Sequence, residues 1–409
     1  MSSLPASLPW IEKLVSYPTI AQTPNIELIE AVAAEFEKHG FTPWYTSSED
    51  GQRKNLFVTL PAHDGTTSGG LVLSGHTDVV PVEGQAWDTD PFSATVKGDK
   101  LYGRGVADMK SYLAAALWML PRFAEADRKR PLHFAFTYDE EIGCVGAPSM
   151  IAELKKRDVL PEFAIVGEPS SMHPIVAHKG AHRGRATFRG VAKHGSLAPY
   201  GVNAVAAAAK FVAFIEDMAD DWLENGPFDD GFVTPTSTAG ANFMRGGLQY
   251  NIVGEEATVE YDFRTIPAMT TQDVVARLER KLFDDLLPEL QAKAERAERL
   301  SGAEAGSLRE QVAIEHELLA EVPALQDRPD DEIVALGARL VGKPEVLEAD
   351  PVKVTYGTEA GQYQQAGMGA IVCGPGDIAQ AHTANEWIEL EQVRECERFM
   401  ERVLEWVQA

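Results

Sequence analysis

Apolar positions along the chain change period several times, and the changes mark out elements. Residues 26–40, IELIEAVAAEFEKHG, carry apolar side chains at helical spacing and end on Gly40, which predicts a helix. NLFVTL (55–60), GLVLSGH (70–76), LHFAFTY (132–138) and FAIVGEP (163–169) are short apolar runs that read as strands. MKSYLAAALWML (109–120) reads as a buried helix stopped by Pro121. Strands separated by helices predict an α/β sheet, mainly parallel, with helices on both faces.

The pattern shifts near residue 183. RGRATFRGVA alternates as a half-exposed strand, and residues 203–222 form a long helical pattern. TSTAGANFMRGG and NIVGEEATVEYDFRTIP read as paired strands, followed by a helix over 271–290. A charged stretch (291–311) and the strand VAIEHELL come next. This order, β-α-β-β-α-β, predicts a small α+β domain with helices on one face. From about residue 322 the α/β character returns, with a helix over 329–342, then AIVCGPG and a C-terminal helix from 389. The sequence therefore predicts a discontinuous first domain (1–182 and 322–409) carrying an inserted domain (183–321).

Composition narrows the function. The 409 residues are 44% hydrophobic and 24% charged, ordinary for globular chains with room for a core. With 37 Lys and Arg against 62 Asp and Glu, the net charge is −25. That balance disfavours nucleic acid and anionic membranes and suits metal cations or cationic small molecules. Cys144, Cys373 and Cys396 are not spaced as CxxC, which suggests a reducing compartment. The N-terminal stretch MSSLPASLPW has no basic region followed by an apolar run, and no stretch approaches the roughly 18 apolar residues of a membrane span. The expectation is a cytoplasmic protein.

Ligands in open α/β sheets bind at strand ends, and here those ends carry one kind of chemistry. GLVLSGH ends in His76, followed by Asp78. FAFTY runs into Asp139, Glu140 and Glu141, and FAIVG runs into Glu168. Asp108 precedes a helix, and His382 follows AIVCGPG. Each residue alone admits a structural role: Asp108 as a helix N-cap, Glu168 in a turn, the histidines as satisfied polar groups. Together they supply what two divalent ions need, a bridging carboxylate and then a histidine and a carboxylate for each. Nothing matches a G-x-S-x-G elbow, and Cys144 reads as packing rather than as a nucleophile.

SGHTDVVP, GRGVADMKS, YDEEIG, GEPS and AHTANE, in this order, resemble the metal-dependent M20 family. Its members include acetylornithine deacetylases, succinyl-diaminopimelate desuccinylases, aminoacylases and several peptidases. The resemblance implies that Asp108 bridges two metals, that His76 and Glu168 hold one, and that Glu141 and His382 hold the other. It makes Glu140 the general base, with Asp78 orienting His76. It also implies that His194, in GVAKHGSLAPYGVNA, reaches the active site of a partner subunit and steadies the oxyanion, hence a homodimer. Arg264 and Asn251 match positions that bind a substrate carboxylate, and Arg183 is a weaker candidate. In VTYGTEAGQYQQAG, Gly357, Thr358 and Glu359 sit where the family contacts substrate, and the TEA form looks like the acetylornithine deacetylases. Glu359 would then face the δ-ammonium of N2-acetyl-L-ornithine, or else pair within the fold. The implied reaction is deacetylation of that compound to L-ornithine and acetate in arginine biosynthesis. Another deacylase of the family, a dipeptidase or a catalytically dead metal-binding relative is the alternative. Ligation by nitrogen and oxygen without cysteine fits Zn2+, and also Co2+ or Mn2+.

Overall fold

The computed structural model describes residues 4–328 and 330–409. The first three residues of the N-terminal stretch, and position 329, at which the sequence reading starts a helix, lie outside the described residues. The chain divides into two compact units, Met1–His178 with Leu325–Ala409, and Lys179–Ala324.

The larger unit is built on an eight-stranded sheet. Its strands lie in the order Trp44–Ser47, Lys54–Leu60, Leu132–Thr137, Leu71–His76, Phe163–Pro169, Gly369–Gly374, Ile175–His178, Val352–Val354. The four from Leu132–Thr137 to Gly369–Gly374 run parallel to one another. Their near-continuous burial explains why they read as unbroken apolar runs. Antiparallel pairing enters toward the edges, at Trp44–Ser47, Lys54–Leu60 and Ile175–His178. One face packs against helices Leu8–Val15, Ile26–Lys38, Lys110–Glu125, Glu332–Val341 and Leu390–Gln408. The other is covered by Ala147–Arg157 and Ala360–Gln365.

Two helix limits differ from the sequence reading. The helix expected to stop at Pro121 continues to Glu125. Proline removes one N–H and crowds the carbonyl four residues back. The next turn stays helical because Leu120 and Phe123 are fully buried on the sheet side. In the second unit, helix Thr271–Glu279 passes through a π-helical segment, Arg280–Leu286, into helix Leu287–Ser301. Much of the charged stretch is therefore helical. Buried Glu298 accepts the backbone N–H groups of Gly306, Leu308 and Arg309 at 2.8–3.0 Å, tying down the turn that follows.

The second unit is an antiparallel four-stranded sheet, ordered Thr238–Gly246, Glu256–Thr265, Gly180–Arg189, Ala313–Val322. Ala186 and Phe188 from one strand and Ala257, Val259, Tyr261 and Phe263 from its neighbour form a core with the helices of this unit. The alternation in the sequence is this buried face.

Candidate metal centre

All four parallel central strands end at one edge of the sheet, and each delivers chemistry there. His76 is the last residue of its strand, and Glu168 is next to last in its own. Leu132–Thr137 runs into Asp139–Glu141, and Gly369–Gly374 leads to the loop bearing His382. Asp108 stands two residues before helix Lys110–Glu125. That helix approaches closely because glycines precede two of these residues. A Cβ on Gly75 would lie 2.3 Å from Met109 Cε, and one on Gly167 would lie 2.1 Å from the Tyr112 ring.

Asp108 is shared between two groups. Its Oδ1 lies 3.0 Å from His76 Nε2, and its Oδ2 lies 3.1 Å from His382 Nε2. Glu168 Oε1 is 3.6 Å from His76 Nε2, and Glu141 Oε2 is 3.0 Å from His382 Nε2. His76, Asp108 and Glu168 thus form one candidate ligand set, and Asp108, Glu141 and His382 form another, the atoms of each lying within 4.8 Å of one another. The Asp108 side chain faces these histidines and does not cap the helix that follows.

The electrostatics call for cations. Burial pushes the Glu168 carboxyl up to about 8 and Glu141 up to about 7, and the Asp108 charge adds to both. Glu140 is also driven well above the carboxylate range, first by burial and then by Glu168. Burial opposes a charge on His76, yet Glu168, Asp108 and Asp78 hold its pKa well above the ordinary value. Asp108 and Glu141 pull His382 up to about 10. Divalent ions would supply the missing positive charge. Glu168 Oε1 is buried without a hydrogen-bond partner, as a ligand atom awaiting an ion would be. The donor set of imidazole and carboxylate fits such ions.

The supporting contacts refine the roles. His76 Nδ1 lies 2.9 Å from the backbone oxygen of Asp78 and 3.5 Å from its carboxylate. The Asp78 carboxylate also accepts the backbone N–H groups of Glu140 and Glu141, each at 3.2 Å. Cys144 is buried and donates its thiol to Glu140 Oε1 at 3.1 Å. Asp139 turns away to Arg53 and to the N–H of Gln22.

The remaining candidates fall in two places. Thr358 is buried, and its hydroxyl accepts the N–H of Ala360. Gly357 is partly exposed. Glu359 is fully buried, bonded to the Ser74 hydroxyl and raised to about 7 chiefly by burial. The other candidates belong to the second unit. His194 is exposed, with Nδ1 2.8 Å from Ser196 Oγ, and Gly195 N donates to Asn251 O, so His194 and Asn251 are neighbours. Arg264 pairs with Asp262 at 3.1 Å, and Arg183 is exposed.

Sequence reasoning missed Arg104 and Glu386, both inside quoted motifs. They form a buried ion pair at 2.8 Å. Glu386 also accepts the N–H groups of Ala107 and Asp108. Two opposite charges flanking metal-ligand motifs were the available signal.

The description that matches the chain is peptidase family M20/M25/M40, over residues 72–406. The chain belongs to this family. Among curated relatives, the acetylornithine deacetylase of Proteus mirabilis is 32% identical over 98% of this chain and 97% of its own length. That of Myxococcus xanthus is 29% identical over 98% and 97%. Among solved structures, an M20 family metallo-carboxypeptidase from Sulfolobus solfataricus superimposes with a TM-score of 0.70 at 17% identity, covering 100% of both chains. A dinuclear metal-binding M20 peptidase from Bacillus subtilis gives 0.59 at 12%, covering 98% of both. This M20 chain is a metal-dependent amide hydrolase. Among the described residues, no helix is long and apolar enough to cross a membrane.

Proposed function

We propose that this enzyme hydrolyses the acetyl amide of N2-acetyl-L-ornithine, releasing acetate and L-ornithine for arginine synthesis. The observation that carries a hydrolytic reading is Asp108 shared between two histidine–carboxylate sets, with Glu140 beside them. The choice of substrate is supported by the acetylornithine deacetylases that match nearly end to end.

Two divalent ions, Zn2+ by preference from the donor set, with Co2+ and Mn2+ also suited, would activate the attacking water and polarise the acyl carbonyl. His76, Asp108 and Glu168 would hold one, and Asp108, Glu141 and His382 the other. Glu140 takes the proton of the attacking water and returns it to the leaving α-amine. Asp78 fixes the backbone of Glu140 during both transfers. Arg264 and Asn251 take the substrate α-carboxylate, and the partner subunit's His194 steadies the oxyanion. Gly357 and Thr358 shape the substrate side. The full burial of Glu359 favours support of the strand bearing Ser74 and His76 over direct contact with the δ-ammonium.

The same reading makes Met1–His178 with Leu325–Ala409 the catalytic domain and Lys179–Ala324 a lid and dimerisation domain. The edge strand Thr238–Gly246 supports a homodimer. It exposes Phe243 and Met244, and Leu248 and Tyr250 follow it, 80% and 99% exposed. A cytoplasmic location is supported by three free, buried cysteines.

The test is a substrate panel on metal-loaded enzyme: N2-acetylornithine, other N-acetylamino acids, succinyl-diaminopimelate and dipeptides. N2-acetylornithine should give the highest kcat/KM. A place among the poorest substrates would overturn the assignment in favour of an aminoacylase, a desuccinylase or a dipeptidase, whichever substrate leads. Inactivity on every amide would point to a dead metal-binding relative.

A further inference from the structure

The segment around Gln85 contributes no ligand atom, yet it grips the loop that bears His382. Gln85 Nε2 donates to the backbone oxygen of His382 at 3.0 Å. Asp88 N donates to Asn385 Oδ1 at 2.8 Å, and Asn385 Nδ2 donates back to Asp88 Oδ2 at 3.3 Å. The gripped loop is locally unusual: His382 and Asn385 both have left-handed backbone, with φ of 61° and 58°, uncommon outside glycine although Asn and His adopt it more readily than most side chains. The His382 side chain is 51% exposed, so burial does not fix it. The other four candidate ligands are nearly buried.

The grip extends to Asp108 through Arg104. Gln85 Oε1 accepts Arg104 Nη2 at 2.5 Å and Trp87 Nε1 at 3.2 Å. Arg104 Nη1 donates to Glu386 Oε2 at 2.8 Å and reaches Thr383 O at 3.4 Å. Glu386 Oε1 then holds the N–H groups of Ala107 and Asp108, at 2.9 and 3.2 Å. One hydrogen-bonded chain thus runs from His382 through Gln85, Arg104 and Glu386 to Asp108. Its ends are the two residues whose side chains meet at 3.1 Å.

We propose that Gln85, acting with the buried Arg104–Glu386 pair, is a positioning residue that sets His382 against Asp108 and so tunes the second ion's site. This rests on the metal-centre reading above. Outer contacts to metal ligands commonly change affinity by about 10–100-fold. Gln85 lies at the partly exposed surface, so its replacement spares the core.

The experiment loads wild type, Gln85→Ala and Gln85→Glu with Zn2+ and dialyses them against rising concentrations of a chelator. Zinc per chain is then counted, and unfolding of the metal-free proteins is measured. Wild type should retain two ions. Gln85→Ala should release one of them at about 10-fold lower chelator, with an unchanged metal-free midpoint. Gln85→Glu keeps an acceptor for Arg104 but has no donor for His382, and should behave like Gln85→Ala. The proposal is overturned if either variant holds both ions as the wild type does. It is also overturned if both ions leave together and the metal-free midpoint falls, which would mark general destabilisation. A wild type that binds no metal would instead overturn the metal-centre reading, and this inference with it.

Discussion

Glu140 and Glu141 are neighbours in the chain, and Asp78 holds both of their amides at 3.2 Å. With its backbone pinned, each side chain goes its own way. Glu141 meets His382 at 3.0 Å, whereas Glu140 accepts the Cys144 thiol. Replacing each in turn separates the roles. Glu140→Ala should retain its metal and lose at least about 100-fold in kcat, the usual scale of general-base catalysis. Glu141→Ala should lose an ion, visible in the metal content before any rate is measured. Full activity in Glu140→Ala would remove it from the mechanism. The candidate ligands were legible in the sequence because most stand at or just beyond a strand end or just before a helix, where an acid or histidine is conspicuous against an apolar run. The atom that supports His76 was not legible. An Asp two residues on suggested its carboxylate, but the nearest contact is that residue's backbone oxygen, and only coordinates distinguish the two. Glu359 shows the same limit: the resemblance of its motif suggests a position near substrate, while its full burial and its bond to Ser74, remote in sequence, are tertiary facts.

Elements explain why the candidate ligands sit where they do. Helix Lys110–Glu125 comes near strands Leu71–His76 and Phe163–Pro169 because Gly75 and Gly167 leave room for Met109 and Tyr112. Gly167→Ala should therefore push on the fully buried Tyr112 ring. The expected cost is about 1–3 kcal/mol, as for other overpacked cores, measured by urea unfolding. Metal retention should fall with it, because Glu168 is the next residue. A second element carries a pH dependence remote from the metal centre. On strand Leu132–Thr137, His133 is buried with Nδ1 2.9 Å from Thr59 Oγ1 and Nε2 2.8 Å from Gly69 O. Burial pushes it down to about 4, against an ordinary value near 6.5. Below pH 6.5 the unfolded chain takes up a proton that the folded chain refuses. This contribution is thus present above pH 6.5 and lost as the pH falls toward 4, by about 2 kcal/mol at pH 5. His133→Gln should flatten the stability profile between pH 6.5 and 5 relative to wild type. An unchanged slope would mean that His133 takes up its proton equally in the folded and unfolded chains. The central parallel strands and the longer helices were legible from their periods. The short strands Trp44–Ser47, Ile175–His178 and Val352–Val354 and helices Leu8–Val15, Ala147–Arg157 and Ala360–Gln365 were not, because so few residues show no period. Some limits were set by tertiary packing instead: Pro121 is a local stop signal that the buried Leu120 and Phe123 outweigh.

At the scale of the whole molecule, Lys179–Ala324 forms its own sheet and core, and the period of the sequence changes near residue 183. What the sequence does not give is whether the second unit takes part in catalysis, because no local pattern specifies assembly. The proposed homodimer makes this testable without a new structure. If each active site combines one subunit's Glu140 with the partner subunit's His194, then Glu140→Ala and His194→Ala homodimers are both impaired. In a mixed dimer, one site joins the intact Glu140 of the first chain to the intact His194 of the second, and the other site has neither. Random exchange makes half of the dimers mixed, and each has one working site, so an equal mixture should recover about a quarter of wild-type activity. The measurement needs exchange shown independently, by subunits carrying different tags that copurify. Exchange with no recovery would place His194 in its own subunit's site or outside catalysis. Recovery would make dissociation of the dimer a route to inactivation. Activity per chain should then fall on dilution in step with the dimer fraction seen by sedimentation, even with the metal centre fully loaded.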